Sequence, residues 1–404
     1  MPFSKRPPSF NGDEMLLYQL DQLDESKLQF VCDDLTSETL TLEFKRELPS
    51  KEGKLEFLKD VAAFANAEGG DLIYGIEEKS GTALRIHPIE VSSTDAEQRR
   101  VGQYLDGGVE PRITGIRFKE VSVKGGFVLM LRIPRSYDGP HRVIHNNDDG
   151  KFFLRSGTHI SNMSYDQLKT AFDRTATLAE RAKAFRRERL DAIHLGKTPS
   201  QVIPGPLCAV HIIPLVSLTG RQLIDVASLY RDSANRCLMA FDKWNHNKCT
   251  LNLDGIVNHC ASGNFGYNQI YRTGCTESVF AAGSENTILA KNITEHIRMV
   301  IDKNLKFLKQ SGISGPAIVG VAVLNIKSHK FFINQLSNFI QDQISPLMAD
   351  RDSLILPEVW LESLDTMTDI DEVVRPLMDI LWQSFGVERC LQYNNTGIWY
   401  PNGL

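Results

Sequence analysis

Two domains of α+β type are what this sequence predicts. Runs in which apolar and polar residues alternate, the strand period, and runs with apolar residues three and four apart, the helix period, both occur in each half of the chain. The stretch from Gly196 to Pro206, rich in proline and glycine, separates the halves. At 404 residues with 42% hydrophobic side chains, the chain is more than twice the usual domain of roughly 150 residues, so each half can bury its own core. The expected organisation is an N-terminal helix and linker (1–34), a first α+β domain (35–176), an arginine-rich helix and linker (177–206) and a second α+β domain (207–404).

Taken in order, Glu14–Leu23 predicts an opening helix. Thr39–Lys45 alternates, with Leu40, Leu42 and Phe44 on one face and Thr39, Thr41, Glu43 and Lys45 on the other, which predicts a half-buried strand. Leu55, Leu58, Val61, Ala62 and Ala65 recur at helical spacing, with Ser50 placed to cap the start and Gly69-Gly70 to end the helix. Asp71–Ile76 is then a short apolar strand running into the charged turn Glu77–Gly81. Strands are expected at Ile113–Val123, Gly126–Ile133 and Lys151–Arg155, and helices at Ser164–Ala176 and Leu178–Leu195. The second half predicts strands at Leu207–Leu215, Leu251–His259, Gln269–Ala282, Ala317–Ile326 and Ile355–Ser363. Its helices are expected at Gly220–Arg231, Thr287–Gln310 and Ile370–Phe385.

Composition narrows the function. Lysine plus arginine total 45 against 50 acidic residues, net −5, which excludes a uniformly basic nucleic-acid coat but not a local one. From Asp13 to Glu110 there are 10 basic and 22 acidic residues, net −12; from Arg112 to Arg189 there are 16 and 8, net +8. Such a split suits metal-binding carboxylates beside a phosphate-binding surface, and equally suits the solvated faces of unrelated elements. No run reaches the roughly 18 apolar residues of a membrane span. The start has a basic pair, Lys5-Arg6, with no apolar core behind it, so a cytoplasmic protein is expected. Seven scattered cysteines predict reduced thiols, and no CxxC or HxxxH pair occurs between Cys237 and Cys275, so no zinc is expected. GxxxxGK[ST], HExxH and GxSxG are all absent, which makes ATP an unexpected ligand and removes the simplest metalloprotease and serine-hydrolase readings.

The carboxylates near the first strand are the chemically suggestive group. Glu43 and Lys45 share its polar face, and Glu38 precedes it; five-residue spacing puts Glu38 and Glu43 together only if Glu38 sits in the turn before the strand. Glu77 or Glu78 supplies a third carboxylate where the apolar strand ends. Carboxylates at strand ends can ligate a divalent metal, and an adjacent lysine can neutralise charge developing on phosphate. Arg117, Lys119, Arg132, Arg135, Arg155, Arg186 and Arg187 are candidate phosphate contacts. His141, His145 and His159 are read mainly as structural.

Two runs carry a resemblance. Ser37–Lys45, containing ExxxxEFK, and Phe57–Glu78, containing AFAN-x-x-GG and Gly75-Ile-Glu-Glu78, are similar to the Schlafen-type AlbA-like domain, and Lys151–Thr158 resembles the arginine-glycine strand and turn that close it. The similarity covers about Leu35–Phe172. It implies that Glu38, Glu43 and Glu77, with Glu78 as alternative, form a metal-dependent site, with Mg²⁺ or Mn²⁺, in an endoribonuclease that cleaves transfer RNA; Lys45 matches the lysine of the family's EFK, and a catalytic role for it and a place in defence or stress response are our own expectations. RNA is favoured over DNA by the resemblance alone. Schlafen cores pair two lobes where this chain shows one, so a homodimer is expected. Two alternatives stay open: a non-catalytic DNA-binding regulator, and a scaffold for a partner protein, the latter distinguished by Arg132, Arg135 and Arg155 failing to line one surface with the carboxylates.

Overall fold

A computed structural model describes residues 20–90, 94–145, 150–220, 223–231, 247–260, 265–284, 286–313, 315–333, 347–364, 367 and 369–400. It divides into two compact units, Met1–Ala176 and Thr177–Leu404, and both mix helices and sheets in the α+β manner. Most of the expected opening helix Glu14–Leu23 lies outside the described residues; Leu20–Gln22 is a 3-10 turn.

In the first unit, α1 (Glu25–Asp33), capped by Asp24 through Lys27 N, leads to β1 (Leu42–Lys45). Helix α2 (Lys54–Asn66) carries the chain over to β2 (Gly69–Tyr74), which pairs parallel with β1. A hairpin of β3 (Ile76–Lys79) and β4 (Thr82–Ile86), the helix α3 (Thr94–Asp106) and the short β5 (Val109–Glu110) follow. Then come β6 (Arg117–Val123), β7 (Gly126–Pro134), β8 (Arg142–Val143), β9 (Lys151–Ser156) and β10 (His159–Asn162). The central sheet runs β1-β2-β7-β6, and a second runs β10-β9-β8-β5.

The two-residue period of the strands sorts the central sheet's side chains. Leu72, Leu129 and Leu131 pack with Phe57, Leu58 and Val61 of α2, whereas Leu42, Phe44, Ile73, Val128 and Met130 pack with Leu28 and Val31 of α1. Both faces are covered, so β1 is buried from Leu42 to Phe44, Glu43 being 7% exposed, and only Lys45 of its expected polar face stays partly exposed. Other expectations shift for local reasons. Ser50 does not cap α2; its hydroxyl accepts Gly53 N, and Gly53 is the cap. Gly69 and Gly70 open β2 instead of closing α2, because a Cβ at Gly70 would lie 2.5 Å from both Thr41 O and the Phe64 ring. Helices expected at Ser164–Ala176 and Leu178–Leu195 are one helix, α4 (Tyr165–His194).

The second unit is built on an antiparallel sheet. Its strands are β11 (Leu207–Pro214), β12 (Asn247–Leu251), β13 (Gly255–Cys260), β14 (Gly266–Tyr271), β15 (Thr276–Ala281), β17 (Ala317–Leu324), β19 (Leu354–Ile355) and β20 (Val359–Leu361). The order is β12-β13-β14-β15-β11-β17-β19, with β20 also paired to β17. A parallel pair, β16 (Thr287–Leu289) with β18 (Lys330–Phe332), stands apart. The short helix α5 is Val226–Arg231. Helices α6 (Ala290–Gln310) and α7 (Asp371–Gln383) bury Ile297, Val300, Leu377 and Trp382 against one sheet face. Leu190 and Ile193 of α4 pack with Tyr267 and Val279 on the other.

Candidate functional site

The site grows from β1 and α2. Glu38 lies in the turn before β1, where its Oε1 accepts Phe44 N at 3.0 Å and its own N–H donates to Gly81 O. Glu43, one strand position before Phe44, points the opposite way from the α1-facing residues and is held from two sides. Lys45 Nζ is 2.7 Å from its Oε1, and Arg155 of β9 pairs with its Oε2. Helix α2 adds two carboxylates that the sequence reading missed. Glu56 Oε1 and Asp60 Oδ2 stand 3.4 and 3.5 Å from Lys45 Nζ. Four residues apart, they share the helix face toward β1, and that i, i+4 spacing beside an E-x-K strand was the available signal.

Arg155 is a strut. Its side chain is 1% exposed, its guanidinium also donates to Thr39 O and Leu42 O, and it lies 4.5 Å from the centre of the Phe64 ring. The AFAN-x-x-GG run now reads physically. Phe64 is the platform under Arg155, Gly70 leaves room for Phe64, and Asn66 ties the strands together. Asn66 donates to His141 O and Phe153 O, both at 2.9 Å, and accepts His141 N at 2.7 Å, so α2 fixes β9 and thereby Arg155.

Electrostatics follow from enclosure. Burial, then Glu43, raise the Asp60 carboxyl to about 7 against the opposing pull of Lys45. Burial raises Glu38 above the usual carboxylate range; the Phe44 hydrogen bond opposes this, and Glu43 and Glu78 add to it. Burial works against charge on Lys45, but Asp60, Glu43 and Glu56 outweigh it and hold the ammonium well above its ordinary range. The buried Tyr74 hydroxyl is raised by burial and by the same three carboxylates.

Several sequence-based site residues stand elsewhere. Glu77 turns across its hairpin to Arg85, Nε to Oε2 2.6 Å, which lowers its carboxyl; Glu78, which accepts Gly81 N, is the one that acts on Glu38. Arg132 forks onto the buried Asp71 with both contacts at 2.8 Å, and Arg135 pairs with Glu68 at 2.6 Å. Strand parity puts Arg117, Lys119 and Arg132 on the α1 face of the sheet, opposite Glu43 and Lys45. Arg132, Arg135 and Arg155 therefore do not line one surface with the carboxylates. Arg186 belongs to the second unit, 5% exposed, donating to Glu358 Oε1 at 3.0 Å and to Val321 O, while Arg187 is exposed. Nor do the carboxylates fit Mg²⁺ or Mn²⁺ as arranged. Both Glu43 oxygens carry protein cations, and among the described residues no three His, Cys, Asp or Glu side chains gather closely enough to hold a metal ion.

Residues 38–164 match the family model Schlafen, AlbA_2, the span that supplies every element of this site. The first unit thus carries a Schlafen AlbA_2 domain, the mark of a nucleic-acid-binding family. No curated protein matches the sequence. Among solved structures, the N-terminal domain of a RecG-related protein from Nitrosomonas europaea is similar at 19% identity, covering 34% of this chain and 92% of that one, with a TM-score of 0.26. The DIP2311 protein from Corynebacterium diphtheriae is similar at 22% identity, covering 31% of this chain and 22% of that one, with a TM-score of 0.23. No helix among the described residues is long and apolar enough to cross a membrane.

Proposed function

We propose that the first unit binds nucleic acid, with structured RNA, transfer RNA first, as its ligand. The observation that carries this is the AlbA_2 match over residues 38–164. Arg132, Arg135 and Arg155 do not line one surface with the carboxylates, which favours as the competing reading a scaffold whose second domain binds a partner protein; in the nucleic-acid reading, these arginines being paired with Asp71, Glu68 and Glu43, phosphates are left to cations that face solvent. Anisotropy titrations of transfer RNA and of duplex DNA across a salt series test the reading. RNA binding that weakens steeply with salt supports it; tighter duplex binding favours a DNA-binding regulator, and no binding of either at low salt sinks it.

A second reading, an RNA-cleaving protein acting in defence or stress response, is favoured by the pair Lys45 and Asp60. Lys45 stays charged and is 29% exposed, able to face charge developing on a phosphodiester. Asp60, enclosed behind it, changes charge near neutrality and so sets how much of the lysine's charge is offset. The assay is incubation with transfer RNA in Mn²⁺ and, separately, in EDTA. Cleavage abolished by Glu43→Ala supports the cluster as the reactive centre, cleavage surviving in EDTA shows that these side chains suffice, and cleavage unchanged in Glu43→Ala removes the cluster. A homodimer would bring two such lobes to one RNA; light scattering of a strict monomer that still cleaves would count against that part.

A further inference from the structure

Strand β9 has two faces. Phe153 and Arg155 are buried toward α2, whereas Phe152 and Leu154 point the other way and are partly exposed. Phe172 of α4 packs edge-on against Phe152, ring centroids 6.1 Å apart, yet keeps 54% of its surface in solvent. Seven residues earlier, Tyr165 opens the helix at 79% exposure. The exposed Lys169 falls between them at the i, i+4, i+7 spacing of one helix face. The first turn is fixed by a reciprocal cap: Ser164 N donates to Gln167 Oε1 at 2.8 Å, and Gln167 N donates to Ser164 Oγ at 3.3 Å.

We infer that Tyr165, Lys169 and Phe172, with Phe152 behind Phe172, form a stacking platform for a single-stranded segment of nucleic acid, its unpaired bases on the two rings and a phosphate between them on Lys169. The inference rests on the nucleic-acid reading above. Seven helical residues span about 10 Å, much more than the roughly 3.4 Å between neighbouring stacked bases, so the face selects an unstacked, extended strand. Rings separated by a lysine lack the contiguous apolar area that a protein partner covers. Asp166 and Asp173, one position further round the helix, offset the charge of Lys169, so stacking supplies the affinity and tolerates any base.

The test titrates the full chain with labelled single-stranded RNA of roughly 12 nucleotides and with an abasic oligomer of the same length and charge. Tyr165→Ala should weaken RNA binding about tenfold, Tyr165→Trp should restore it, and the abasic oligomer should bind the unaltered protein no better than RNA binds the alanine variant. Thermal unfolding should not move, because Tyr165 is exposed. Equal binding by Tyr165→Ala, or equal binding of the abasic oligomer, overturns the platform while salt-dependent RNA binding keeps the wider reading. Absence of any binding at low salt overturns both.

Discussion

Asp60 carries the clearest consequence at the scale of a single residue. Its folded carboxyl titrates near 7 against an ordinary 3.8, so between those values the folded chain binds more protons than the unfolded one, and Asp60's contribution to stability falls as pH rises through that window. Asp60→Asn should therefore flatten the decline, gaining melting temperature relative to the unaltered protein between pH 4 and 8; a constant difference across that range would disprove it. The same titration frees Lys45 of a counter-charge on acidification, so transfer RNA affinity should rise from pH 8 to pH 6 and that rise should vanish in Asp60→Asn. Anisotropy at fixed ionic strength reads it. The sequence showed Glu43 and Lys45 on one strand face but not that the face is covered. Arg155, which covers it, is 112 residues away, and no local period reports a partner at that distance.

At the scale of elements, α2 does more than return the chain from β1 to β2. Asn66 joins it to the loop at His141 and to β9, all within the buried interior. Asn66→Ala removes three hydrogen bonds and leaves backbone groups without partners, a loss of about 2–4 kcal/mol, measurable by urea unfolding; less than 0.5 kcal/mol would show that these bonds do not hold β9. Helix α2 was legible because its apolar residues repeat at helical spacing. Helix α3 was missed because Thr94–Asp106 is polar, with Gly102 inside it, and presents few apolar residues to count. The break expected near Ala176 is absent because buried Leu178 and Ala182 continue the helix face beyond it. The arginine-rich part of α4 reads in sequence as a phosphate-binding or solvated face, yet Arg186 and Arg189 are drawn onto a sheet. Arg189 forks onto buried Glu277 at 2.8 and 3.0 Å, and Gly320 clears the space that Arg186 occupies.

For the whole molecule, the two units have separate cores and separate buried charges. In the second, Glu277 accepts from Arg189 and from Tyr267 and lies 3.0 Å from His211 Nε2; burial opposes its charge, but His211 and Arg189 outweigh that and hold the carboxyl at about 2. Glu277→Ala leaves Arg189 and His211 facing an empty acceptor and should cost the second unit about 3–5 kcal/mol. The expected result is a calorimetric transition lowered for the second unit while transfer RNA affinity stays within about twofold, a difference of about 0.4 kcal/mol; an equal loss of RNA binding would show that the second unit takes part in it. The second compact unit begins at Thr177, ahead of the proline- and glycine-rich stretch Gly196–Pro206, because Leu190 and Ile193 in the later turns of α4 pack with Tyr267 and Val279.

The clamp on Glu43 has a meaning for inheritance. A chain that replaced this glutamate alone would bury the Arg155 guanidinium against Phe64 with its carboxylate partner gone, and one that replaced the arginine alone would leave Glu43 to Lys45. Neither single step is neutral, so descent should pass these two positions on as a pair. A relative that has lost the glutamate of ExxxxEFK should also have lost the arginine of its closing strand, and the two losses together would mark a lineage in which this centre has gone out of use.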